Sequence, residues 1–266
     1  VQHHPAIIGW QLDNETKHYD NIGRYMQEGF VRSLQEKYPD LRQLNRDFGL
    51  DYWSNRIDRW QDFPPVENTI NASLACAFSR YQRQQVTEYL AWQAAIVREY
   101  AQPHQFVTHN FDFEWRGYSY GVQPRVDHFA AAQALDIAGV DIYHPSQAHL
   151  TGREIAFGGA ITRSLKPGQN YFVLETQAQG FAQWTPYPGQ LRLQAFSHIA
   201  SGAAMVSYWH WHSIHNAFET YWKGLLSHDF SRNPTCQEAT TIGADFSRLS
   251  PQLAELKPQN DVAVLL

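Results

Sequence analysis

A chain of 266 residues that is 43% hydrophobic and 18% charged carries enough apolar material for a full core and has the composition of a globular protein. Its formal net charge of −5 excludes the basic face that a nucleic-acid or anionic-membrane partner requires, and no apolar run approaches the roughly 18 residues of a spanning helix. Cys76 and Cys236 have neither metal-ligand spacing nor the numbers of a disulfide framework, and no basic-then-apolar leader opens the chain, so the sequence reads as a reduced, cytoplasmic protein.

The first element is an apolar run, Ile7 to Leu12 (IIGWQL), which reads as a buried strand. A helical stretch follows from about Asn21 to Lys37, apolar at Ile22, Tyr25, Met26 and Phe30. Asn71-Ala72-Ser73 fits a glycosylation sequon, but Asn71 stands where an asparagine caps the next helix. That helix, Ser73 to Tyr100, repeats apolar residues at helical spacing through Leu74, Phe78, Tyr81, Val86, Leu90 and Ile96. Then come a strand at Gln105 to Asn110 (QFVTHN), a helix at Val126 to Ala138 and a strand at Val140 to Tyr143 (VDIY). A strand at Tyr171 to Glu175 (YFVLE), a helix at Pro188 to Ala200 and a strand at Met205 to Trp209 (MVSYW) complete the pattern.

Short apolar strands alternating with helices are the pattern of parallel strands buried on both faces. The class is α/β, either a doubly wound sheet or a (β/α)₈ barrel. Two features favour the barrel. No glycine-rich phosphate loop follows any strand. Polar residues also gather at the carboxyl ends of the strands: Asn14 and Glu15, His109 and Asn110, Tyr143 and His144, Glu175, then His210 and His212. Barrels assemble their active sites at that end.

Among these, Asn14-Glu15 and Glu175 carry the chemistry. A carboxylate at a strand end, preceded by an amide, suits a general acid; the plainer reading of Glu15 is an acid at a helix N-terminus. Glu175 follows four apolar residues that carry its charge to the edge of the core; the plainer reading is a satisfied or solvent-reaching glutamate. The pair says more than either member, because two glutamates ending different parallel strands of one barrel converge on one face. Glycosidases use two carboxyl groups across the scissile bond, about 5–5.5 Å apart in the retaining type. One is protonated and the other ionised. The 9 Trp, 14 Tyr and 15 Phe fit a large core or a site that stacks the apolar face of a pyranose. Trp184, in a loop with Pro186 and Pro188, is the candidate sugar platform, while Tyr208, Trp209, Trp211, Tyr221 and Trp222 crowd the last strand and the segment after it. His210, His212 and His215 do not form His-Glu-x-x-His, and a strand end would splay alternate side chains, so no metal is expected there. No Gly-x-Ser-x-Gly elbow supports serine hydrolysis.

The runs GWQLDNE (9–15), VTHNFDFEWRG (107–117), DIYHP (141–145), LETQAQGF (174–181) and SYWHWHSIHNAFETYWKGLLSHDF (207–230) together resemble the glycoside hydrolase family 42 β-galactosidases over essentially the whole chain. The resemblance implies a (β/α)₈ barrel, hydrolysis of terminal β-D-galactosides with retention, no cofactor, and a homotrimer for the full-length enzyme. It also implies residue roles: Glu15, ending the fourth barrel strand, as acid/base; Glu175, ending the seventh, as nucleophile; and Asn14 bonded to the sugar beside the reacting centre. Trp184 and Glu219 match positions lining the galactose subsite, and Tyr143 matches a tyrosine bonded to the nucleophile. Trp222 stands where some members have a histidine. Some members hold zinc on cysteines just after the acid/base; Thr16-Lys17-His18-Tyr19 contains none, so no structural zinc is expected. The rival readings are another retaining β-glycosidase of the same clan and a non-catalytic sugar-binding protein.

On this resemblance, residues 1–258 correspond to the barrel from about strand four through strand eight, and 259–266 to the start of a following domain. Five strands cannot close an eight-strand barrel. As a free polypeptide such a piece is expected to be poorly stable and of little activity.

Overall fold

The computed structural model describes residues 2–113, 122–144, 150–179 and 185–265. Five strands, β1 (Gly9–Leu12), β2 (Phe106–Asp112), β3 (Gly139–Asp141), β4 (Tyr171–Gln177) and β5 (Ala203–Trp209), form one sheet in the order β1-β2-β3-β4-β5. Every neighbouring pair is parallel. Parallel neighbours need crossovers, and helices supply them. Between β1 and β2 lie α1 (Arg24–Lys37), α2 (Leu41–Asp47) and α3 (Ala72–Tyr100). α4 (His128–Ala131) leads to β3, α5 (Arg153–Leu165) to β4 and α6 (Gln190–Ala200) to β5, while α7 (Pro234–Leu253) follows the last strand. A doubly wound sheet reverses its strand order at a switch point; a sheet whose spatial order equals its chain order is the barrel arrangement.

The five strands and the helices over Asn21–Lys37, Ser73–Tyr100 and Pro188–Ala200 stand where the sequence puts them, within a few residues at the ends. Three helices were not legible. α2 is only seven residues long and is fixed by its cap, Asp40, whose carboxylate accepts from the backbone N–H of Arg42. α5 contains the pair Gly158-Gly159, a combination that reads as a breaker. α7 contains Pro251. The helix expected over Val126–Ala138 is shorter: α4 gives way to a 3₁₀ turn at Ala132–Ala134. Asp136 beyond it accepts instead from the N–H of Val107 at 2.8 Å.

The chain divides into two compact units. The first comprises 1–15, 93–124 and 128–266 and holds the sheet; the second comprises 16–92 and 125–127. In the first, Val107, Phe111, Val140, Ile142 and Val173 are each at most 1% exposed, which fixes the strands as core. Outside the sheet, Leu191 and Ala195 of α6 pack with Ile242 of α7. The second unit has a core of its own, in which Phe30 and Leu34 of α1 meet Leu44, Leu50, Ile57, Val66, Leu74 and Phe78. Phe30 meets Phe78 edge-on at 5.2 Å. Buried Asn45 ties this core to the backbone of Ile57, donating to its carbonyl at 2.7 Å and accepting from its N–H at 2.9 Å. Both cysteines are free. No helix among the described residues is long and apolar enough to cross a membrane.

Candidate active site

The sheet delivers polar side chains at the carboxyl ends of β1 to β4, and it does so by register. In β2, Asn110 is fully buried and pairs with Gly139 of β3. In β3, Asp141 pairs with Glu175 of β4, with an irregularity in register between Val140 and Asp141. Register partners in parallel strands point to the same face, so Asp141 and Glu175 share one side of the sheet. β1 delivers Glu15 differently. The chain leaves the strand with Asp13 and Glu15 in the left-handed region, φ 35° and 44°. For residues with a Cβ that conformation costs on the order of 1–3 kcal/mol each and persists where surrounding contacts hold it. Gln11 supplies such contacts, its amide donating to the Asp13 carbonyl and to Asn110 Oδ1, while the Glu15 N–H donates to the same Oδ1 at 3.3 Å.

Asn110 is the hub. Its Nδ2 donates to Asn14 Oδ1 at 2.9 Å and to Asp141 Oδ2 at 2.6 Å, and lies 3.3 Å from Glu175 Oε1. The three carboxyl groups of Glu15, Asp141 and Glu175 each bring an oxygen within 4.8 Å of the others. Tyr143 donates its hydroxyl to Glu175 Oε2 at 2.8 Å, and the ring of Trp222 lies 5.3 Å from the Tyr143 ring.

Crowding carboxyl groups in a buried place moves their titration upward. For Glu175, burial is the largest cause and the charges of Glu15 and Glu219 add to it; the Tyr143 hydrogen bond opposes, and the group is pushed up to about 7. Asp141 is only 2% exposed, and burial followed by the charges of Glu175 and Glu15 pushes it up to about 10. Burial and the neighbouring Glu175 also raise Tyr143, so its hydroxyl stays a donor.

This is the only grouping among the described residues whose donor atoms come close enough to hold a metal ion. With the buried Asp141 protonated near neutral pH and Glu175 titrating near 7, the group suits proton chemistry better than a hard cation, which needs ionised oxygens. His210, His212 and His215 have rings 5.2 and 5.5 Å apart in sequence, but the His210 and His212 ring nitrogens contact the backbone carbonyls of His212 and Ser213.

The structure thus brings together Asn14, Glu15, Tyr143 and Glu175, with Trp222 against Tyr143. Glu219 is exposed and reaches the group through its charge on Glu175. Trp184 lies outside the described residues. Residues 1–249 match the family model described as "Beta-galactosidase", that of glycoside hydrolase family 42. The chain belongs to that family.

Curated members similar to it include β-galactosidases of Clostridium cellulovorans and Thermus thermophilus. The first is 27% identical over 98% of this chain and 40% of its own length, the second 30% identical over 94% and 41%. The chain therefore spans about two fifths of the curated relatives it matches. Among solved structures, a catalytic mutant of the family 42 β-galactosidase Gan42B from G. stearothermophilus superposes with a TM-score of 0.86 at 23% identity, over 96% of this chain and 39% of that one. The β-galactosidase of the psychrophilic Marinomonas ef1 superposes at 0.81 with 25% identity, over 94% and 41%. The five-stranded sheet is accordingly part of the (β/α)₈ barrel of family 42.

Sequence reasoning did not single out Asn110 as a hub, nor Asp141 at all. Asn110 counted only as one polar residue at a strand end. Asp141 lies inside the run VDIY, where its charge in a strand buried on both faces was the available signal. Only the fold shows which neighbours each one faces.

Proposed function

We propose that this family 42 chain carries the catalytic pair of a retaining β-galactosidase, which releases terminal β-D-galactose by double displacement. The observation that carries the reading is the approach of the Glu15 and Glu175 carboxyl groups, with oxygens within 4.8 Å, beside Asn14. So close an approach supports a nucleophile, whose carboxyl stands about 5–5.5 Å from the acid/base, over the wider gap of about 6.5–9.5 Å in which an inverting enzyme seats its water.

Glu175 attacks the anomeric carbon while Glu15 gives its proton to the departing oxygen, leaving a galactosyl ester on Glu175. Glu15, now ionised, takes a proton from water, whose oxygen displaces Glu175 and restores the β-configuration. The Tyr143 hydroxyl holds Glu175 Oε2 at 2.8 Å, so the attack is assigned to Oε1, which Asn110 holds only at 3.3 Å. Asn14 is assigned to the sugar beside the reacting centre, Trp222, Glu219 and Trp184 to the walls of the galactose subsite. The crowding of Glu15 and Glu175 supports the division of labour, since close carboxyl groups do not both ionise easily. For the whole protein we carry over from the family resemblance a homotrimer, and from the free cysteines a cytoplasmic setting.

The test is hydrolysis of a panel of aryl β-glycosides by the full-length protein, with the first-formed anomer followed by NMR. The expected result is preference for the galactoside and β-galactose as first product. Glu175→Ala is expected to abolish turnover yet keep galactose binding, and Glu15→Ala to suffer most on substrates with poor leaving groups. Retention of activity within a few-fold in Glu175→Ala would sink the assignment. Galactose binding without hydrolysis of any glycoside by the unaltered protein would make it a binding protein.

A further inference from the structure

Double displacement employs two carboxyl groups, and the site contains three. Asp141 is buried more deeply than either of the others. Its Oδ2 accepts from Asn110 Nδ2 at 2.6 Å, whereas its Oδ1 is buried with no hydrogen-bond partner as an acceptor. The groups that face it are Glu15 from the turn after β1, Asn110 from β2, Glu175 from β4 and Tyr143 on its own segment, with Glu219 acting on Glu175. Tyr143 is committed to Glu175 Oε2. What remains for Asp141 is the Glu15 carboxyl, which brings an oxygen within 4.8 Å and whose hydrogen bond is among the influences that raise Asp141. Two carboxyl groups form such a bond only if one of them carries a proton.

Resting on the reading of Glu15 as acid/base, we propose that Asp141 is a positioning residue: a neutral carboxylic acid whose hydroxyl donates to one oxygen of Glu15, holding that side chain in place and leaving its other oxygen to carry the catalytic proton. The assignment satisfies every polar atom of Asp141. Oδ2 accepts from Asn110, and Oδ1–H donates to Glu15. Burial and the nearby carboxylates favour the neutral form, as they raise the titration of this group far above its ordinary range.

The proton on Asp141 is not consumed. When Glu15 loses its own proton to the departing oxygen, the Asp141 hydroxyl bonds to the carboxylate that is left. When Glu15 takes a proton from water, the bond relaxes to its starting state. The bond is strongest while Glu15 is ionised, because a hydrogen bond to a charged acceptor exceeds one to a neutral acceptor. Asp141 therefore makes Glu15 a readier donor in the first step, by stabilising the anion that forms.

Two substitutions in the full-length protein separate this role from its rivals. Asp141→Asn keeps a carbonyl for Asn110 and gives Glu15 an N–H donor without charge. It is expected to hold kcat/KM within about threefold and to leave the alkaline limb of the pH profile unmoved. Asp141→Ala removes the donor and is expected to lower kcat/KM roughly 10- to 100-fold. It should also raise the alkaline limb by about one unit, since the Glu15 anion loses its donor. If Asp141 were ionised, the asparagine variant would delete a negative charge beside Glu15 and drop the alkaline limb instead; that shift overturns the proposal.

Infrared difference spectroscopy of unaltered protein minus Asp141→Asn reads the same point without turnover. A protonated-carboxyl carbonyl band at pH 8 is expected, and carboxylate bands in its place refute the proposal even if the alanine variant fails to fold. This readout also separates the two readings. Failure of the galactosidase assignment shows as inert unaltered protein, whereas failure of the Asp141 assignment shows in the spectrum.

Discussion

Tyr143 shows how one hydroxyl can set the working range of the site. Its bond to Glu175 at 2.8 Å opposes the upward push of burial and of the neighbouring carboxylates. In the proposed mechanism Glu175 must be ionised to attack, so its protonation would define the acidic limb of the pH profile. Tyr143→Phe removes a donor to the ionised form only, and Glu175 is then harder to ionise. The acidic limb of kcat/KM is expected to move upward by about one to two units, the equivalent of about 1.5–3 kcal/mol for a hydrogen bond to a charged group. Activity at the lower end of the range falls accordingly. A pH–rate series on an aryl β-galactoside checks this; an unmoved limb would mean that the hydroxyl serves the sugar rather than the nucleophile. Since three carboxyl groups share the site, the limbs belong to the set, and the variant comparison carries the meaning.

Elements place these residues, and small features of the sequence set the elements. Asn71 starts α3: its Oδ1 accepts from the Leu74 N–H at 2.9 Å, and its Nδ2 donates to the Phe48 carbonyl at 3.1 Å. The sequon reading gives way to the cap reading on this geometry. Asn71→Ala is expected to destabilise by about 1–2 kcal/mol, most of which Asn71→Ser should restore by replacing the cap alone. Calorimetry would register a fall of roughly 2–8 °C in Tm for the alanine variant. Gly139, at the start of β3, is set by close approach, since a Cβ there would lie 2.6 Å from the His109 carbonyl oxygen and collide with the Leu174 side chain. Any larger residue would pry β3 from β2 and part Asn110 from Asp141. The hydrophobic runs made all five strands legible. The shift in register at Val140–Asp141, which aligns Asp141 with Glu175, was not, because register depends on the partner strand.

At the scale of the molecule, the raised carboxyl groups tie stability to pH. A group titrating near 3.8 in the unfolded chain and far higher when folded binds more protons in the folded state throughout that interval. Unfolding then releases protons, so stability is full below the unfolded value and declines as pH rises toward the folded value. Asp141 follows this rule from about pH 4 to about pH 10, and Glu175 from about pH 4.5 to about pH 7. Urea unfolding of the unaltered protein and of Asp141→Asn at pH 5, 7 and 9 should show the asparagine variant gaining relative stability as pH rises. The slope is at most about 1.4 kcal/mol per pH unit for one group. Parallel curves would mean that Asp141 is ionised when folded.

By itself the sequence determined the class and the alternation of strand and helix, and it proposed the two glutamates, since each depends on local order: apolar runs at strand length, periodic helices, a charge at the end of an apolar run. Its long motifs also determined the family. Only the tertiary structure decided the strand order that separates a barrel from a doubly wound sheet. It alone decided the hub role of Asn110, which joins residues as far as 96 positions away in the chain. The presence of a third carboxyl, Asp141, was likewise decided there. The physical reason is the same for all three. Titration and hydrogen bonding depend on distance and burial, and for residues on different strands those are set by the pairing of the sheet, not by neighbours in the chain.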